Sequence, residues 1–552
     1  MKNKFIIFLL LAIASIGLSA CQRQSLQEYS IPTSVEIVNL AGDDTMSIGD
    51  DPLELLALVN PSSAKQQVVW SSSNPTVATV GEDGKVTPLA IGITTIGVQV
   101  LENTALEDEL VMTVVDDPGQ LETISGIIQT LDELIPDTIT TEMTLPTRLE
   151  EATITWESSN YNTINRNGLV VQNRFDQSVE IRGTIKLSRN EGVFQKTIMV
   201  KAYSLKDLSN RKVAFTYLFD PNFTEFRSGD LERIDVINYS FGGIQNNQVS
   251  INGLQHLNTI IGQAHANGVR VVLAIGGWGV DGFSEACSTS QNRSAFIASI
   301  MTTIRTYRFD GIDIDWEYPT STAGGLIGAS PNDRTNLTYF MQDLKIAMNS
   351  MDSDLILSMA VAAGTYAANS YYDIQSLSSI IDYLHLMTYD MINYSTFVTT
   401  HHTNLYPSNY STFSVSQAVD LYYGKGMPKS KIVIGVAFYG HVFKTTSAGT
   451  NGIGATSDRN EKTTFRYASI VENYLNNPLY TLYTDDVAKA SWLYGEGIFV
   501  SFDNPASIAL KAQYVLDQGL GGLMAWEYCQ DDASSSLVRA IYDNAIISSS
   551  SK

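Results

Sequence analysis

The chain has 552 residues, with 35 Lys and Arg against 58 Asp and Glu, which gives a formal net charge of −23. At about 150 residues per domain, this length predicts three to four domains. So acidic a chain is a poor partner for nucleic acid or for an anionic membrane surface. Hydrophobic residues make up 44% of the chain and charged residues only 17%, which excludes an intrinsically disordered protein and allows large cores.

The N-terminus has the pattern of a targeting segment. Lys2 and Lys4 precede an apolar run over residues 5–17, which is too short to span a bilayer as a helix. The sequence L-S-A-C over residues 18–21 follows this run and resembles a bacterial lipobox. The resemblance predicts a lipoprotein signal peptide over residues 1–20, lipid attachment to Cys21 and a tether over 21–30. An ordinary signal peptide with a chance cysteine is the alternative. We therefore expect an exported protein of the cell envelope, at the outer membrane or cell surface, bound to the membrane only through its lipid.

Cysteine and histidine are too sparse to organise the fold. Apart from Cys21, the chain has only Cys287 and Cys529, which do not form a disulfide framework, so we expect two free thiols. The histidines are scattered, except for His401 and His402 in a polar loop, and none has zinc-ligand spacing. We predict neither a metal nor a cofactor.

Residues 31–204 are predicted as short alternating strands, with one helical stretch near 125–134. The phrase W-S-S-S-N at Trp70 recurs as W-E-S-S-N at Trp156, and each copy is followed by a turn glycine and a strand. This repeat predicts two tandem immunoglobulin-like sandwiches, over 31–116 and 117–204. The first copy resembles bacterial Ig-like group 2 domains, and the second resembles a diverged relative. We interpret them as spacers rather than glycan-binding modules, because neither shows an aromatic platform.

From residue 209 onward, buried-type strands alternate with helices. A helical run of apolar residues ends at Gly268, where a C-cap belongs. Eight strands with helical connections predict an α/β fold, a (β/α)8 TIM barrel over 209–548. The long, turn-rich gap before the last strand predicts a small α+β insertion at about 443–503. The eight predicted strands are 212–219, 234–241, 269–275, 309–316, 355–362, 383–389, 431–438 and 521–526.

The fourth predicted strand carries a row of acidic residues, in the sequence D-G-I-D-I-D-W-E-Y-P over 310–319. Alternate side chains of a strand share a face, so Asp313, Asp315 and Glu317 point one way and the intervening Ile, Ile and Trp point the other. A calcium loop would need flexible polar residues between its ligands, and a solvated strand would not have so apolar an opposite face. In a barrel the carboxyls lie in the interior and rise toward the rim where active sites form. Close, desolvated carboxyls cannot all ionise, which favours acid catalysis.

The acidic segment matches the D-x-x-D-x-D-x-E signature of glycoside hydrolase family 18, and its W-E-Y-P continuation resembles the chitinases of that family. Ala274 stands where many members have Ser, and His441 stands where many have Arg. The segment 277–282 also spells G-x-G-x-x-G, but its turn-like continuation fits a dinucleotide site poorly. The resemblance covers about residues 209–545. Its other motifs are A-I-G-G-W over 274–278, M-T-Y-D over 387–390, F-Y-G over 438–440 and G-G-L-M-A-W over 521–526.

The resemblance implies retaining hydrolysis assisted by the acetamido group of the substrate. Glu317 is the expected general acid and, later, the base. Asp315 is expected to accept the acetamido N–H and to share a proton with Asp313. Tyr389 is expected to bind the acetamido carbonyl oxygen as charge develops on it.

Aromatic rings are expected to supply the platform for the sugar, because pyranose faces stack on flat apolar surfaces. Trp526 is the expected floor under the distorted sugar, and Trp278 is expected to serve a more distant subsite. For Phe241 and Met387, core packing is an equally good interpretation. His385 is interpreted as a hydrogen-bonded residue of the barrel interior. The other positions that match cleft-lining residues of the family are Tyr217, Asp390 and Tyr439.

These observations predict a monomeric chitinase that acts on β-1,4-linked N-acetylglucosamine polymers or oligomers. One alternative is an endo-β-N-acetylglucosaminidase that releases N-glycans. The other is a non-catalytic glycan-binding surface protein, which the intact Glu317 argues against.

Overall fold

The computed structural model describes residues 30–115, 124–187, 190–323, 325, 327–392, 397–411, 413–447 and 449–547. The predicted signal peptide, Cys21 and almost all of the tether lie outside these residues. Among the described residues, none of the helices has both the length and the apolar composition that crossing a membrane requires.

The first compact unit ends at Leu134, and its described residues form two four-stranded sheets and one helix, Ile124–Leu134. Its core contains Leu55, Val86 and Met112, with Trp70 packed against them. Gly84, in the turn after the W-S-S-S-N phrase, has φ 79°, and an added Cβ would collide with the carbonyl oxygen of Leu55. The strands are Ser34–Asn39, Thr45–Ser47, Leu53–Asn60, Val68–Ser72, Ala78–Val80, Lys85–Pro88, Gly92–Val100 and Asn103–Val115.

The second compact unit runs from Ile135 to the end and begins with a second β-rich region. This region has a five-stranded sheet and a two-stranded one, and Trp156 is buried against the edge of Phe194. Gly168 repeats the conformation of Gly84, with φ 79°. The strands are Thr138–Ile139, Met143–Thr144, Arg148–Leu149, Ala152–Ser158, Leu169–Val170, Gln177–Leu187 and Asn190–Val200.

Eight parallel strands then close into a barrel, because the first strand pairs with both the second and the eighth. The other neighbours follow in sequence order up to the sixth and seventh strands, and the seventh pairs with the eighth. The predicted fold class, a β-rich Ig-like region followed by a TIM barrel, is confirmed. In order, the barrel strands are Val213–Phe219, Val236–Gln245, Arg270–Gly276, Gly311–Asp315, Ile356–Ala362, Tyr383–Met387, Ile432–Ala437 and Gly522–Trp526.

Between the seventh and eighth barrel strands lies an antiparallel five-stranded sheet, in the place where the insertion was predicted. It begins at Tyr439, directly after the seventh strand, so this tyrosine belongs both to the barrel rim and to the insertion. A short strand, Gln248–Ser250, pairs antiparallel with the end of the second barrel strand. The strands of the insertion are Tyr439–Thr445, Ser457–Arg466, Thr481–Asp485, Ala490–Gly495 and Ile498–Phe502.

Helices cover the outside of the barrel, and their apolar faces form one large core with the strands. The α-helices are Leu257–Ala266, Phe283–Cys287, Ser290–Tyr307, Asp333–Met351, Thr365–Ser370, Ile374–Leu377, Val415–Gly424, Tyr467–Ile470, Pro505–Gln518 and Ser536–Ile541. Shorter turns are 3-10 helices at Asp220–Glu225, Ser228–Arg233, Lys429–Lys431 and Tyr528–Gln530, and π-helices at Val471–Leu475 and Tyr542–Ile546. Cys287 and Cys529 are buried free thiols, as predicted.

A buried ion pair joins the second β-rich region to the amino-terminal end of the barrel. Arg174 Nη1 lies 2.5 Å from Asp310 Oδ1, and the Tyr203 hydroxyl donates to the same oxygen at 2.9 Å. His265 Nε2 lies 2.7 Å from the other oxygen. Burial alone would raise the pKa of Asp310, but His265 and Arg174 outweigh it and lower that pKa. Asp310, the first acid of the signature, therefore anchors this region rather than facing the rim.

Candidate active site

The fourth barrel strand places its acidic and apolar side chains on opposite faces, as its sequence predicts. Ile312, Ile314 and Trp316 lie in the core between the barrel and its helices. Asp313 and Asp315 are buried on the other face, inside the barrel. Glu317 follows the end of the strand and lines the cavity at its carboxyl end.

Asp313 is the lowest of the three acids and is held by hydroxyl groups. The Tyr217 hydroxyl donates to its Oδ2 at 2.6 Å, and the Ser358 hydroxyl donates to its Oδ1 at 2.7 Å. His385 Nδ1 lies 3.2 Å from the Tyr217 oxygen, and burial lowers the pKa of this histidine. Ser358, on the fifth strand, was not among the predicted site residues. Its strand lies on the opposite side of Asp313 from the strand that carries Ala274.

The surroundings of Asp315 and Glu317 raise the pKa of both carboxyl groups. Burial, together with the charges of Glu317 and Asp313, raises the pKa of Asp315 well above its ordinary value. Burial also raises the pKa of Glu317 to about 7, although a hydrogen bond from Tyr318 opposes the rise. Asp315 Oδ1 is buried and has no hydrogen-bond partner among the described residues. The pair therefore offers a proton donor near neutral pH and a polar atom free to bind a ligand.

A cavity of about 960 Å³ opens over these acids at the carboxyl ends of the strands. Ten of the eleven predicted catalytic and binding residues line it, and Asp313 lies below. Burial, followed by the charges of Asp315 and Glu317, raises the pKa of Tyr389, so its hydroxyl stays a donor. The ten are Tyr217, Phe241, Trp278, Asp315, Glu317, Met387, Tyr389, Asp390, Tyr439 and Trp526.

Aromatic rings form the floor of the cavity. Trp526 ends the eighth strand, and its ring stacks on Phe241 with centroids 5.6 Å apart and an angle of 25°. Tyr217 packs against the same tryptophan at 5.5 Å. Phe241 and Met387 line the cavity as well as packing in the barrel interior, so neither is a core residue alone.

Asp390, at one wall of the cavity, is oriented by two hydrogen bonds from the insertion. The Tyr439 hydroxyl donates to Asp390 Oδ1 at 2.8 Å, and His441 Nε2 lies 2.5 Å from the same oxygen. Burial tends to raise the pKa of Asp390, but these two groups outweigh it and lower that pKa. His441 thus joins the insertion to this carboxylate of the cavity wall.

Within the described part of the chain, one group of side chains has the arrangement of metal ligands. One ligand atom each from Asp390, His402 and His441 lies within 4.8 Å of the others. The sequence did not reveal this group, because its members are far apart along the chain. His401 and His402 lie in a loop with polar neighbours, as predicted, and both side chains are completely buried.

Several other residues line the cavity and were not predicted from the sequence. Tyr318 follows the acid directly, and its ring stacks on Tyr371 with centroids 5.3 Å apart. Phe413 lies in the loop after the sixth strand and had no motif to mark it. The remaining unassigned residues are Phe219, Ala360, Ala362, Ala363, Gly364, Met391 and Ile392.

Comparison with known proteins agrees with this geometry. Residues 211–531 match the model of the glycosyl hydrolases family 18, and residues 34–109 match the bacterial Ig-like domain, group 2. Chitinase A1 of Niallia circulans is 31% identical over 291 residues, which are 48% of this chain and 41% of that protein. Chitotriosidase-1 of Mus musculus is 28% identical over 327 residues, which are 54% of this chain and 67% of that protein. The chain thus spans less than half the length of the first of these relatives.

Solved structures of related enzymes also align with this chain. A family 18 N-acetylglucosaminidase from Paenibacillus barengoltzii aligns with a TM-score of 0.57 and 31% identity, over 60% of this chain and 100% of that one. The cell-surface-expressed chitinase ChiW from a Paenibacillus species aligns with a TM-score of 0.57 and 30% identity, over 60% of this chain and 42% of that one. An acid row inside a barrel, an aromatic floor and a family match over more than half of the chain lead to one conclusion: this chain belongs to the glycosyl hydrolases family 18.

Proposed function

We propose that the protein hydrolyses β-1,4-linked N-acetylglucosamine polymers or oligomers by retaining, substrate-assisted catalysis. The observation that carries this proposal is the pairing of Glu317, whose pKa is raised to about 7, with Asp315, whose buried Oδ1 has no protein partner among the described residues. Trp526 lies across the same cavity as a flat platform for the reacting sugar.

The first chemical step breaks the glycosidic bond. Glu317 gives its proton to the glycosidic oxygen, the bond from C1 to that oxygen breaks, and the carbonyl oxygen of the acetamido group bonds to C1. Asp315 accepts a hydrogen bond from the acetamido N–H, and Tyr389 donates one to the carbonyl oxygen. The hydrogen bond to Asp315 strengthens as the oxazolinium ion acquires positive charge, because the N–H becomes more acidic, so it favours the transition state over the bound substrate. The hydrogen bond from Tyr389 orients the carbonyl oxygen for its attack on C1.

In the second step, water opens the oxazolinium ion. Glu317, now a carboxylate, takes a proton from the water while the water oxygen bonds to C1 and the bond from C1 to the acetamido oxygen breaks. This step restores the acetamido group, regenerates the acid and retains the anomeric configuration. Asp313 accepts hydrogen bonds from the hydroxyl groups of Tyr217 and Ser358. These contacts support a role for Asp313 as the group that exchanges a proton with Asp315.

The substrate is tested by mass spectrometry of the products from chitohexaose and from a high-mannose glycoprotein, treated side by side. We expect shorter N-acetylglucosamine oligomers from chitohexaose. Release of intact N-glycan without cleavage of chitohexaose would instead identify an endo-β-N-acetylglucosaminidase. Binding of chitohexaose with no cleavage of either substrate would identify a non-catalytic glycan-binding protein. Gel filtration with light scattering tests the proposed monomer.

We also propose that the protein is exported and attached to the cell envelope through a lipid on Cys21. The lipobox-like sequence before this residue supports the proposal. Cells fed radiolabelled palmitate should incorporate label into the wild-type protein and not into a Cys21→Ser variant. An unlabelled wild-type protein recovered entirely in the soluble fraction would contradict lipid attachment.

A further inference from the structure

Three metal-binding side chains meet where the barrel joins the insertion. Asp390 follows the sixth barrel strand, His402 lies in the loop after it, and His441 lies on the first strand of the insertion. One ligand atom of each lies within 4.8 Å of the others. Neither histidine takes part in the proposed bond-breaking steps, so this group is open to another role.

Backbone contacts hold both imidazoles in place. The N–H of His402 donates to the Ser501 hydroxyl at 3.0 Å, and its carbonyl oxygen accepts from the N–H of Met391 at 3.0 Å. His441 pairs with the same Ser501 across two neighbouring strands of the insertion. The two rings have centroids 4.9 Å apart and meet at 77°. Because both rings are fixed before any ligand arrives, a ligand that binds them pays little for ordering them.

His402 presents an unprotonated ring nitrogen to Asp390. Its side chain is completely buried, and its Nδ1 lies 4.0 Å from Asp390 Oδ1. The Asp390 N–H donates a long hydrogen bond of 3.5 Å to this Nδ1, which therefore carries a lone pair rather than a proton. A neutral imidazole with a lone pair aimed at a carboxylate is the form in which histidine binds metal ions.

Asp390 connects the two histidines to solvent. Its side chain is 47% accessible and lines both the cavity over the acids and a second cavity of about 510 Å³. Its Oδ1 lies 2.5 Å from His441 Nε2 and accepts from the Tyr439 hydroxyl at 2.8 Å. An ion that replaces the proton between Oδ1 and Nε2 keeps the Tyr439 hydrogen bond, and such outer contacts orient ligating carboxylates.

We propose that Asp390, His402 and His441 bind a divalent transition-metal ion such as Zn²⁺, and that the bound ion inhibits the enzyme. Two imidazole nitrogens and one carboxylate oxygen form the donor set of a three-ligand zinc site, with the remaining position open to water. Mg²⁺ and Ca²⁺ prefer sets of oxygen ligands and fit this one poorly. The proton that His441 loses from Nε2 moves to its Nδ1, which has no hydrogen-bond partner among the described residues.

Inhibition follows from the place of Asp390 in the cavity wall. Coordination holds its carboxylate against the insertion and puts an ion with a bound water at that wall, where both exclude a sugar. We therefore expect the ion to act mainly by raising KM. This effect on hydrolysis rests on the proposed function, whereas binding of the ion does not.

Binding is tested by isothermal titration calorimetry of the untagged protein with ZnCl₂ near neutral pH, and by the visible absorption of added Co²⁺. Wild type should bind one equivalent of Zn²⁺, which should abolish the Co²⁺ bands. His402→Asn keeps a hydrogen-bond acceptor and removes the imidazole, and should weaken Zn²⁺ binding at least about tenfold. His441→Arg keeps N–H donors beside Asp390 and should weaken it as much, so the site is tested even if one variant misfolds. A wild type that binds no Zn²⁺, or folded variants that bind it as tightly as wild type, would overturn the site.

His256→Gln is the matched control, because it removes another imidazole that lies beside a carboxylate, 3.3 Å from Asp220 and outside the residues that line the cavity. Zn²⁺ should raise KM for chitohexaose equally in wild type and in this control. The Zn²⁺ concentration for half inhibition should rise at least about tenfold in His402→Asn. Equal inhibition of wild type and His402→Asn would overturn the inhibitory role. A wild type that binds Zn²⁺ and does not cleave chitohexaose would refute the proposed function, and the inhibition with it, while supporting the metal site.

Discussion

Replacing Glu317 by Gln should make the folded barrel more stable at alkaline pH, because the cavity disfavours the ionised carboxyl. Burial raises its pKa from 4.5 to about 7. That change of about 2.5 corresponds to roughly 3 kcal/mol, at about 1.36 kcal/mol for each pH unit. The folded state holds the proton more tightly than the unfolded state. The stability contributed by this group is therefore complete below pH 4.5 and is lost as the pH rises through 7.

The assay is thermal unfolding of wild type and Glu317→Gln between pH 4.5 and 8.5. The glutamine has no proton to lose in this window. Its midpoint should therefore rise relative to that of wild type as the pH increases, with the difference levelling off above pH 7. Glu472→Gln, at an exposed position of the insertion, is the control and should follow wild type throughout. If the unfolding midpoints of wild type and Glu317→Gln differ by the same amount at pH 5 and at pH 8, the cavity does not raise the pKa of Glu317.

Three further changes test other parts of the structure. Trp526→Ala removes the platform, and kcat/KM on chitohexaose should fall at least about tenfold with an unchanged circular dichroism spectrum; an undiminished rate would exclude it as the floor. His441→Gln shortens the side chain that contacts Asp390 and should raise KM several-fold, whereas His441→Arg keeps a long side chain with N–H donors and should raise KM less; identical KM values for both variants and wild type would contradict this role. Arg174→Ala leaves the buried Asp310 without its arginine and should destabilise the second unit by about 3 kcal/mol in thermal unfolding at pH 7; a loss below about 0.5 kcal/mol would show that His265 alone suffices.

Local sequence pattern was enough to predict the barrel and its acid row. Each barrel strand lies at or within a few residues of its predicted run, because a strand buried on both faces is almost continuously apolar. Alternation along one strand also predicted that Asp313 and Asp315 share a face opposite Ile314. These features depend on neighbours in sequence, so the sequence carries them directly.

The contacts that the sequence did not reveal join residues remote along the chain. His402 lies in a loop after the sixth strand and His441 in the insertion, yet both approach Asp390. Ser358 reaches Asp313 only because the fourth and fifth strands are in a particular register. Such contacts are set by closure of the barrel and docking of the insertion, which periodicity in a single segment does not encode.

The central claim is that Glu317 protonates the glycosidic oxygen, and kcat/KM of Glu317→Gln on chitohexaose tests it most directly. The amide occupies nearly the same volume and has no acidic proton, so binding should persist while the rate falls by roughly a hundredfold to ten-thousandfold. A variant that is folded and cleaves chitohexaose as fast as wild type would contradict the account.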